Sequence, residues 1–350
     1  MISEEQILAA LKDVKYPGFN RDIVSFGLVR EAHAHGADIH ARLVVTTNDP
    51  KIPAAIHEAA VARLRAIPGA GKVEVRIDIQ GAPTAAAGAS GPQTIDGVKH
   101  VIAVASGKGG VGKSTVAANL AVSLRRAGAR VGLCDCDLYG PSIALMFGAN
   151  ERPTADDENR IIPIERYGVE LMSMGFLLDD DSPAVLRGPM VTRYTQQFLR
   201  QVAWGELDYL ILDLPPGTGD IQLTIVQTVA LAGAIIVTTP QEVALIDARK
   251  AARMFAKTNV PVIGIIENMS YFQCPSDGVR YDLFGKGGGA REAQRLGVPL
   301  LGEIPIEVAL REGGDIGQPV AEFAGNGPSG TAFAQIALTI AEKFSTNVSA

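Results

Sequence analysis

The sequence predicts an α/β protein in two parts: a doubly wound, mainly parallel sheet over residues 98–350, preceded by a small α+β domain over residues 1–80. Three observations carry that expectation. From residue 98 onward, short apolar runs ("HVIAVAS", "RVGLCDC", "YLILDLPP", "GAIIVTTP", "VPVIGIIENM", "PLLGEIP") alternate with helical stretches. Runs with so little polar alternation suit strands covered on both faces by crossover helices, with ligands at the strands' carboxyl ends. The first of these runs leads into a glycine-rich loop and then a helical pattern, "ASGKGGVGKST" at residues 105–115. Between the two parts, "GAPTAAAGASGPQTIDG" (81–97) offers Gly, Ala, Ser and Pro with almost nothing to bury, the composition of a flexible linker.

The small domain opens with Ile7, Leu8, Leu11 and Val14, which share one face of a helix over residues 4–14. Ile39, Ala41, Leu43 and Val45 then alternate as a half-buried strand does. Ile56, Ala60, Leu64 and Ile67 recur at helical spacing, and after the breakers Gly69 and Gly71 the residues Val73, Val75, Ile77 and Ile79 alternate as a closing strand. In the larger domain, 101–105 reads as a strand and 113–127 as the helix that follows the glycine-rich loop.

Composition narrows the function. With 350 residues, 47% hydrophobic and 20% charged, the chain has the apolar content for a large core in one or two domains. A formal charge of −6 argues against a broadly basic nucleic-acid surface, because phosphate binding needs clustered Lys and Arg. The start "MISEEQILAALKDV" has no apolar core of signal-peptide type, and no stretch approaches the roughly 18 apolar residues of a membrane span. A cytoplasmic protein with no nucleic-acid and no membrane partner is therefore expected. Three cysteines (Cys134, Cys136, Cys274) are too few for a disulfide framework. All five histidines (His33, His35, His40, His57, His100) precede the glycine-rich loop, so no later histidine serves as base or metal ligand.

Gly107, four residues, then Gly112-Lys113-Ser114 fit the phosphate-loop pattern in its proper strand–loop–helix context. Gly107, Gly109, Gly110 and Gly112, with Val111 between them, let backbone N–H groups converge on phosphates; Lys113 neutralises β/γ charge, and Ser114, followed by Thr115, offers a hydroxyl to Mg²⁺. The expected cofactors are ATP and Mg²⁺, and the expected activity is ATP hydrolysis. Asp213, at the end of the apolar run "YLILD", takes the position of a carboxylate in the Mg²⁺ shell. For Asp135 and Asp137 in "CDCD" two readings stand: capping of the next segment, or orientation of the attacking water. Asn268 either reads an adenine edge or forms a turn. "DLPPGTGD" suits a switch segment that responds to loss of the γ-phosphate.

The loop "GKGGVGK" resembles the deviant Walker A subgroup, which implies that Lys108 reaches the nucleotide of a facing subunit in an ATP-sandwich homodimer. Taken together, "GKGGVGKST", "CDCDLYGPS", "DLPPGTGD", "ENMSYFQCP" and "EGGDIGQP" resemble the Mrp/ApbC family of iron–sulfur cluster carrier ATPases over nearly all of residues 98–345. Residues 3–80, with "DIVSFGLV" and "IPGAGKVEVRI", are similar to the small domain that often precedes this ATPase. The resemblance implies a dimer that binds a [4Fe–4S] cluster and passes it to apoproteins, with Asp137 orienting water and Asp135 contacting the magnesium shell. It also implies a Cys-x-x-Cys pair after "MSYF", but here Cys274-Pro-Ser is followed by Asp277. Cys274 and Asp277 are the implied cluster ligands, and Asp277 replaces a soft thiolate by hard oxygen. A cluster-free ATP-gated scaffold for a partner protein is the competing expectation.

Two further groups carry alternatives. Cys134 and Cys136 face one side of a short strand, either as small buried hydrophobes or as a redox-sensing thiol pair. His33 and His35 share a face if extended, beside Gly36, but two histidines without a third ligand do not make up a metal site.

Overall fold

The structure is a computed structural model and describes residues 2–15, 22–24, 28–46, 51–80, 91–137, 140–158, 160–173, 176, 199–323 and 326–345. The chain divides into two compact units, Met1–Ala89 and Ser90–Ala350.

In the first unit, α1 (Glu4–Lys12), β1 (Val29–His35), β2 (Asp38–Thr46), α2 (Lys51–Arg65) and β3 (Val73–Gln80) form helices and a three-stranded sheet of order β1-β2-β3. β1 and β2 run antiparallel, β2 and β3 parallel. A capping box starts α1: the Ser3 hydroxyl accepts from Gln6 N while the Gln6 side chain accepts from Ser3 N, satisfying two otherwise unpaired groups. Ile7 and Leu11 of α1 and Ile56, Ala60 and Leu64 of α2 meet Ile39, Ala41, Leu43, Val45 and Val75 in one core. The helix and strand patterns expected from the sequence thus bury together. β1 was not among the expected strands, because "VREAHAH" presents only small inward residues such as Ala32 and draws its structure from pairing with β2.

The second unit holds an eight-stranded sheet of order β13-β10-β9-β4-β8-β5-β7-β6. Its strands are β4 (Val98–Ala105), β5 (Val131–Asp135), β6 (Ile164–Arg166), β7 (Val169–Ser173), β8 (Leu207–Asp213), β9 (Gly233–Thr238), β10 (Val262–Glu267) and β13 (Leu300–Glu303). All pairings are parallel except β6 with β7 at one edge. The six apolar runs picked from the sequence are β4, β5, β8, β9, β10 and β13, and they are the parallel interior with one edge. The helices are α3 (Lys113–Arg126), α4 (Ile143–Met146), α5 (Asp220–Thr228), α6 (Glu242–Lys257), α7 (Gly288–Leu296), α8 (Val308–Asp315), α9 (Val320–Phe323) and α10 (Pro328–Ser345). α3, α9 and α10 pack together over one large apolar cluster, while α6 and α7 cover a separate cluster that includes Ile236, Ala248, Ala251, Ile265 and Ala293. Helices on both faces make the sheet doubly wound, as expected.

Two hairpins add detail. Tyr167 and Gly168, both at positive φ, turn β6 into β7, and β11 (Phe272–Gln273) pairs antiparallel with β12 (Arg280–Tyr281) in a small sheet of its own. Of the linker expected over 81–97, residues 81–90 lie outside the described residues. The remainder is not loose: Gln93 N donates to Thr228 O, Ala230 N donates to Gln93 O, and Leu207 N donates to Gly97 O. The stretch 91–97 therefore belongs to the sheet unit, because its backbone groups find partners there despite an uninformative composition. Among the described residues no helix is long and apolar enough to cross a membrane.

Candidate functional site

β4 lies between β8 and β9, and the chain leaves its carboxyl end directly into Gly107–Gly112 and then α3. This is where a doubly wound sheet reverses its strand order and opens a crevice. Gly107 admits no side chain, since a Cβ there would overlap the backbone carbonyl of Asp247 on α6. Gly112 sits at φ 78° as the N-cap of α3, and a Cβ would overlap the Asn268 amide nitrogen. The loop thus wraps tightly enough that only glycine fits at both ends. A cavity of about 240 Å³ is lined by Lys108 through Thr115 together with Asp137, Ser142, Met146 and Pro216.

Under the loop lies a buried charge system. Lys113, 6% exposed, places Nζ 2.5 Å from Asp213 Oδ1 and 3.2 Å from Ser114 Oγ. Asp213 Oδ2 is fully buried without a hydrogen-bond partner of good geometry. Asp135 and Asp213 are register partners at the ends of β5 and β8. Burial, with the Asp213 charge adding to it, pushes the Asp135 carboxyl up to about 7. Burial also raises Asp213, against the pull of Lys113 and Ser114. Two buried carboxylates facing one lysine make a site short of positive charge, which is the electrostatic condition for holding a cation.

The two aspartates of "CDCD" have different surroundings. Asp135 accepts from Asp137 N (3.0 Å), Ser142 N (3.0 Å), Ile143 N (3.2 Å) and the Ser173 hydroxyl (3.1 Å), so it anchors the start of α4. Its bonds to Ser142 N and Ile143 N are of the capping kind expected for this residue. Asp137 is half-buried and lines the cavity. Asn268 is buried and donates from Nδ2 to Val111 O at 2.8 Å, clamping the phosphate loop from the end of β10. Sequence reading missed Gln222 of α5, whose amide donates to Pro215 O while its Oε1 is buried without a partner. Its signal is a glutamine two residues after "GTGD", in the first turn of the helix.

The other expected ligands lie on the β11–β12 hairpin. Cys274 N donates to Val279 O, Gly278 N donates to Cys274 O, and the Asp277 carboxylate accepts from Val279 N at 2.9 Å. Asp277 therefore braces the turn that presents Cys274. The Cys274 thiol is half-buried, 3.0 Å from the Ser276 hydroxyl, and that hydrogen bond holds its pKa below the ordinary thiol value. The segment joining this hairpin to Asn268 is pinned: Ser270 N donates to Ile304 O and Ile306 N to Tyr271 O.

A family model for NUBPL iron-transfer P-loop NTPases matches residues 97–341. The chain belongs to this family. A second model, for iron-sulfur cluster assembly proteins, matches residues 4–77. This NUBPL-type NTPase is 45% identical to an iron-sulfur cluster carrier protein of Deinococcus radiodurans, over 97% of this chain and 95% of that one. It is 46% identical to the mouse iron-sulfur cluster transfer protein NUBPL, over 72% of this chain and 80% of that one. Among solved structures, a nucleotide-binding protein from Archaeoglobus fulgidus in complex with ADP is 43% identical, with a TM-score of 0.58 over 64% of this chain and 88% of that chain. The cell division ATPase MinD of Pyrococcus furiosus, at 23% identity and a TM-score of 0.54 over 69% of this chain and 98% of that one, shares the fold. The resemblance drawn from the motifs is borne out in both parts of the chain.

In this NUBPL-type NTPase the thiols of Cys134, near the end of β5, and of Cys136, just beyond it, are buried in the apolar core. Cys134 and Cys136 are 0% and 3% exposed with Sγ atoms 4.0 Å apart, and their mutual contact together with burial pushes Cys136 well above the ordinary thiol range. Burial keeps both sulfurs away from solvent.

Proposed function

We propose that the protein is an ATP-hydrolysing carrier that binds an iron–sulfur cluster as cargo and delivers it to apoproteins, acting in the cytoplasm as a homodimer. The observation that carries this reading is the continuity between the two sites: Asn268 holds the phosphate loop through Val111, and six residues on (274 − 268) the same pinned segment presents a Cys274 thiol biased toward thiolate. A nucleotide phosphate entering the loop displaces Lys113 from Asp213, because the lysine is drawn to the greater negative charge. The orphaned Asp213 Oδ2 and the Ser114 hydroxyl fit Mg²⁺, whose chemistry when bound is to draw charge off the β- and γ-phosphates. Asp137 orients the water that attacks the γ-phosphorus, giving ADP and inorganic phosphate, while Asp135 keeps α4 and Asp137 in place.

Lys108 lines the same cavity and in this reading reaches the nucleotide of a facing subunit. Lys108→Ala is expected to keep ATP binding by the single chain and lose the ATP-dependent dimer, read by light scattering with ATP present. An unchanged dimer and normal turnover would remove the cross-subunit role.

One thiolate per chain gives a bridging site of two thiolates and two carboxylates across the dimer, with weaker hold on iron than four thiolates. Anaerobic reconstitution of wild type, Cys274→Ser and Asp277→Cys, with iron and sulfide counted and chelator release timed, tests this. Wild type is expected to take up a cluster that Cys274→Ser does not, to pass it to an apoprotein, and to lose iron faster than Asp277→Cys. The second reading, an ATP-gated scaffold without cluster, draws on Asp277 bracing its own turn. Equal iron and sulfide in wild type and Cys274→Ser, or uptake by Asp277→Cys alone, selects it.

A further inference from the structure

The exposed face of the small domain's sheet carries a histidine cluster that the nucleotide chemistry does not use. On the antiparallel pair β1–β2, His33 stands directly opposite His40, and His35 lies two residues further along β1. Residues two apart on a strand share a face, and directly opposed residues have Cβ atoms about 4.5–5.5 Å apart. The register therefore gathers three imidazoles on the side turned away from Ile39, Ala41 and Leu43 of the core. Their ring centres form a nearly equilateral triangle of 5.5, 5.7 and 6.2 Å. With metal–nitrogen bonds of ~2.0–2.1 Å and tetrahedral angles, three imidazoles on one ion have ring centres about 5 Å apart. The observed spacings of 5.5, 5.7 and 6.2 Å are wider than that by roughly 0.5 to 1.2 Å.

The surroundings fit a cation. Glu74 is the register partner of His40 on β3, with its Oε2 3.7 Å from His40 Nδ1, where a carboxylate orients a metal-bound imidazole and raises its basicity. Glu31, His33, His40, Arg42, Glu74 and Arg76 line a hollow of about 280 Å³. The arginines are answered: Arg42 is bonded to Asp78 at 2.7 Å and Glu31 at 3.2 Å, and Arg76 lies 3.4 Å from Asp78. The acidic side chains Glu31, Glu74 and Asp78 match the basic Lys72, Arg42 and Arg76, so these six carry no net positive charge against a divalent ion. Among the described residues no such group is already arranged to hold a metal ion; His33 and His40 lie stacked at 21° instead of turning nitrogens to a common point. His33 and His35 are exposed and His40 half-exposed, and a change of staggered rotamer turns such rings at little cost.

We propose that His33, His35 and His40, with Glu74 behind His40, form a binding site for one divalent transition-metal ion of borderline softness, of the class of Zn²⁺ and Co²⁺. The rigid part of the site is the strand register; ring rotation completes it. All four residues belong to the first unit's sheet.

The test uses the full chain carrying Cys274→Ser, which removes that thiol as a competing ligand, titrated with Zn²⁺ by calorimetry near neutral pH without nucleotide. One ion per chain is expected. Removing an outer partner of a metal-bound histidine weakens binding about 10–100-fold, so Glu74→Gln should fall in that range and His33→Gln or His40→Gln at or beyond its upper end. His57→Gln, on the exposed side of α2, should change nothing. Co²⁺ added to the protein without histidine substitutions should broaden three imidazole proton resonances and leave that of His57 sharp, a readout that needs no variant to fold. Unchanged stoichiometry and affinity in both His33→Gln and His40→Gln, or no Zn²⁺ uptake at micromolar concentration, overturns the proposal.

Discussion

Lys113→Ala is expected to abolish tight ATP binding and, separately, to destabilise the nucleotide-free protein. Lys113 Nζ is a buried positive charge of the phosphate loop, paired with Asp213 Oδ1 at 2.5 Å. Truncating one member of a buried, hydrogen-bonded charge pair takes about 2–5 kcal/mol from binding, or ~30-fold to several thousandfold in Kd. The stability loss has another source: without Lys113, Asp213 is a buried carboxylate with no counter-charge, worth up to ~3–5 kcal/mol before it escapes by taking up a proton. Burial already raises the Asp213 pKa, so protonation recovers part of that loss. The double variant Lys113→Ala/Asp213→Asn separates the two effects. Its melting temperature should return toward wild type while ATP binding stays lost, because the amide needs no counter-charge but the phosphates still do. Micromolar ATP affinity in folded Lys113→Ala, measured by calorimetry, would contradict the phosphate-loop assignment.

Which parts of this architecture the sequence displays follows from how local each signal is. β4, β5, β8 and β9 are legible because parallel strands covered on both faces must be apolar where they are buried, and burial is nearly complete along β5, β8 and β9 and along β4 from Val101 onward. β6 and β7 escape notice because one is three residues long, β7 carries an outward Glu170, and only the Tyr167-Gly168 turn marks them. β1 has too few apolar residues to announce a strand and depends on its partner β2. The phosphate loop is legible as a contiguous motif. Its bonds are not: Lys113 to Asp213 spans 100 positions and Asn268 to Val111 spans 157, so the clamp on the loop emerges only from the fold. His40 shows the same limit on a smaller scale. As a residue five positions after His35 it gives no ligand spacing, yet the hairpin at Gly36 sets it opposite His33.

Asp137→Asn is expected to lower kcat for ATP by about 10²–10⁴-fold with nucleotide still bound, the range for a residue that positions or deprotonates an attacking water. The choice of Asp137 over Asp135, implied by the family resemblance, is supported by how Asp135 is bonded. Asp135 is fully buried, and its two oxygens already accept from three backbone N–H groups and the Ser173 hydroxyl, so it has no freedom to turn toward a water. Asp137 is half-buried on the wall of the cavity that Lys108, Lys113 and Ser114 also line. Asp135→Asn should therefore act on stability first: its NH₂ group would face backbone N–H donors, leaving at least one buried donor unmatched at about 1–3 kcal/mol. Asp213→Asn should differ from both, raising the Mg²⁺ concentration needed for turnover, since the oxygen without a partner is on that side chain. Single-turnover hydrolysis across a Mg²⁺ series, with nucleotide affinity measured in parallel, distinguishes the three variants. If Asp137→Asn loses less than about threefold in kcat while Asp135→Asn keeps its melting temperature and loses turnover, the water-orienting role moves from Asp137 to Asp135.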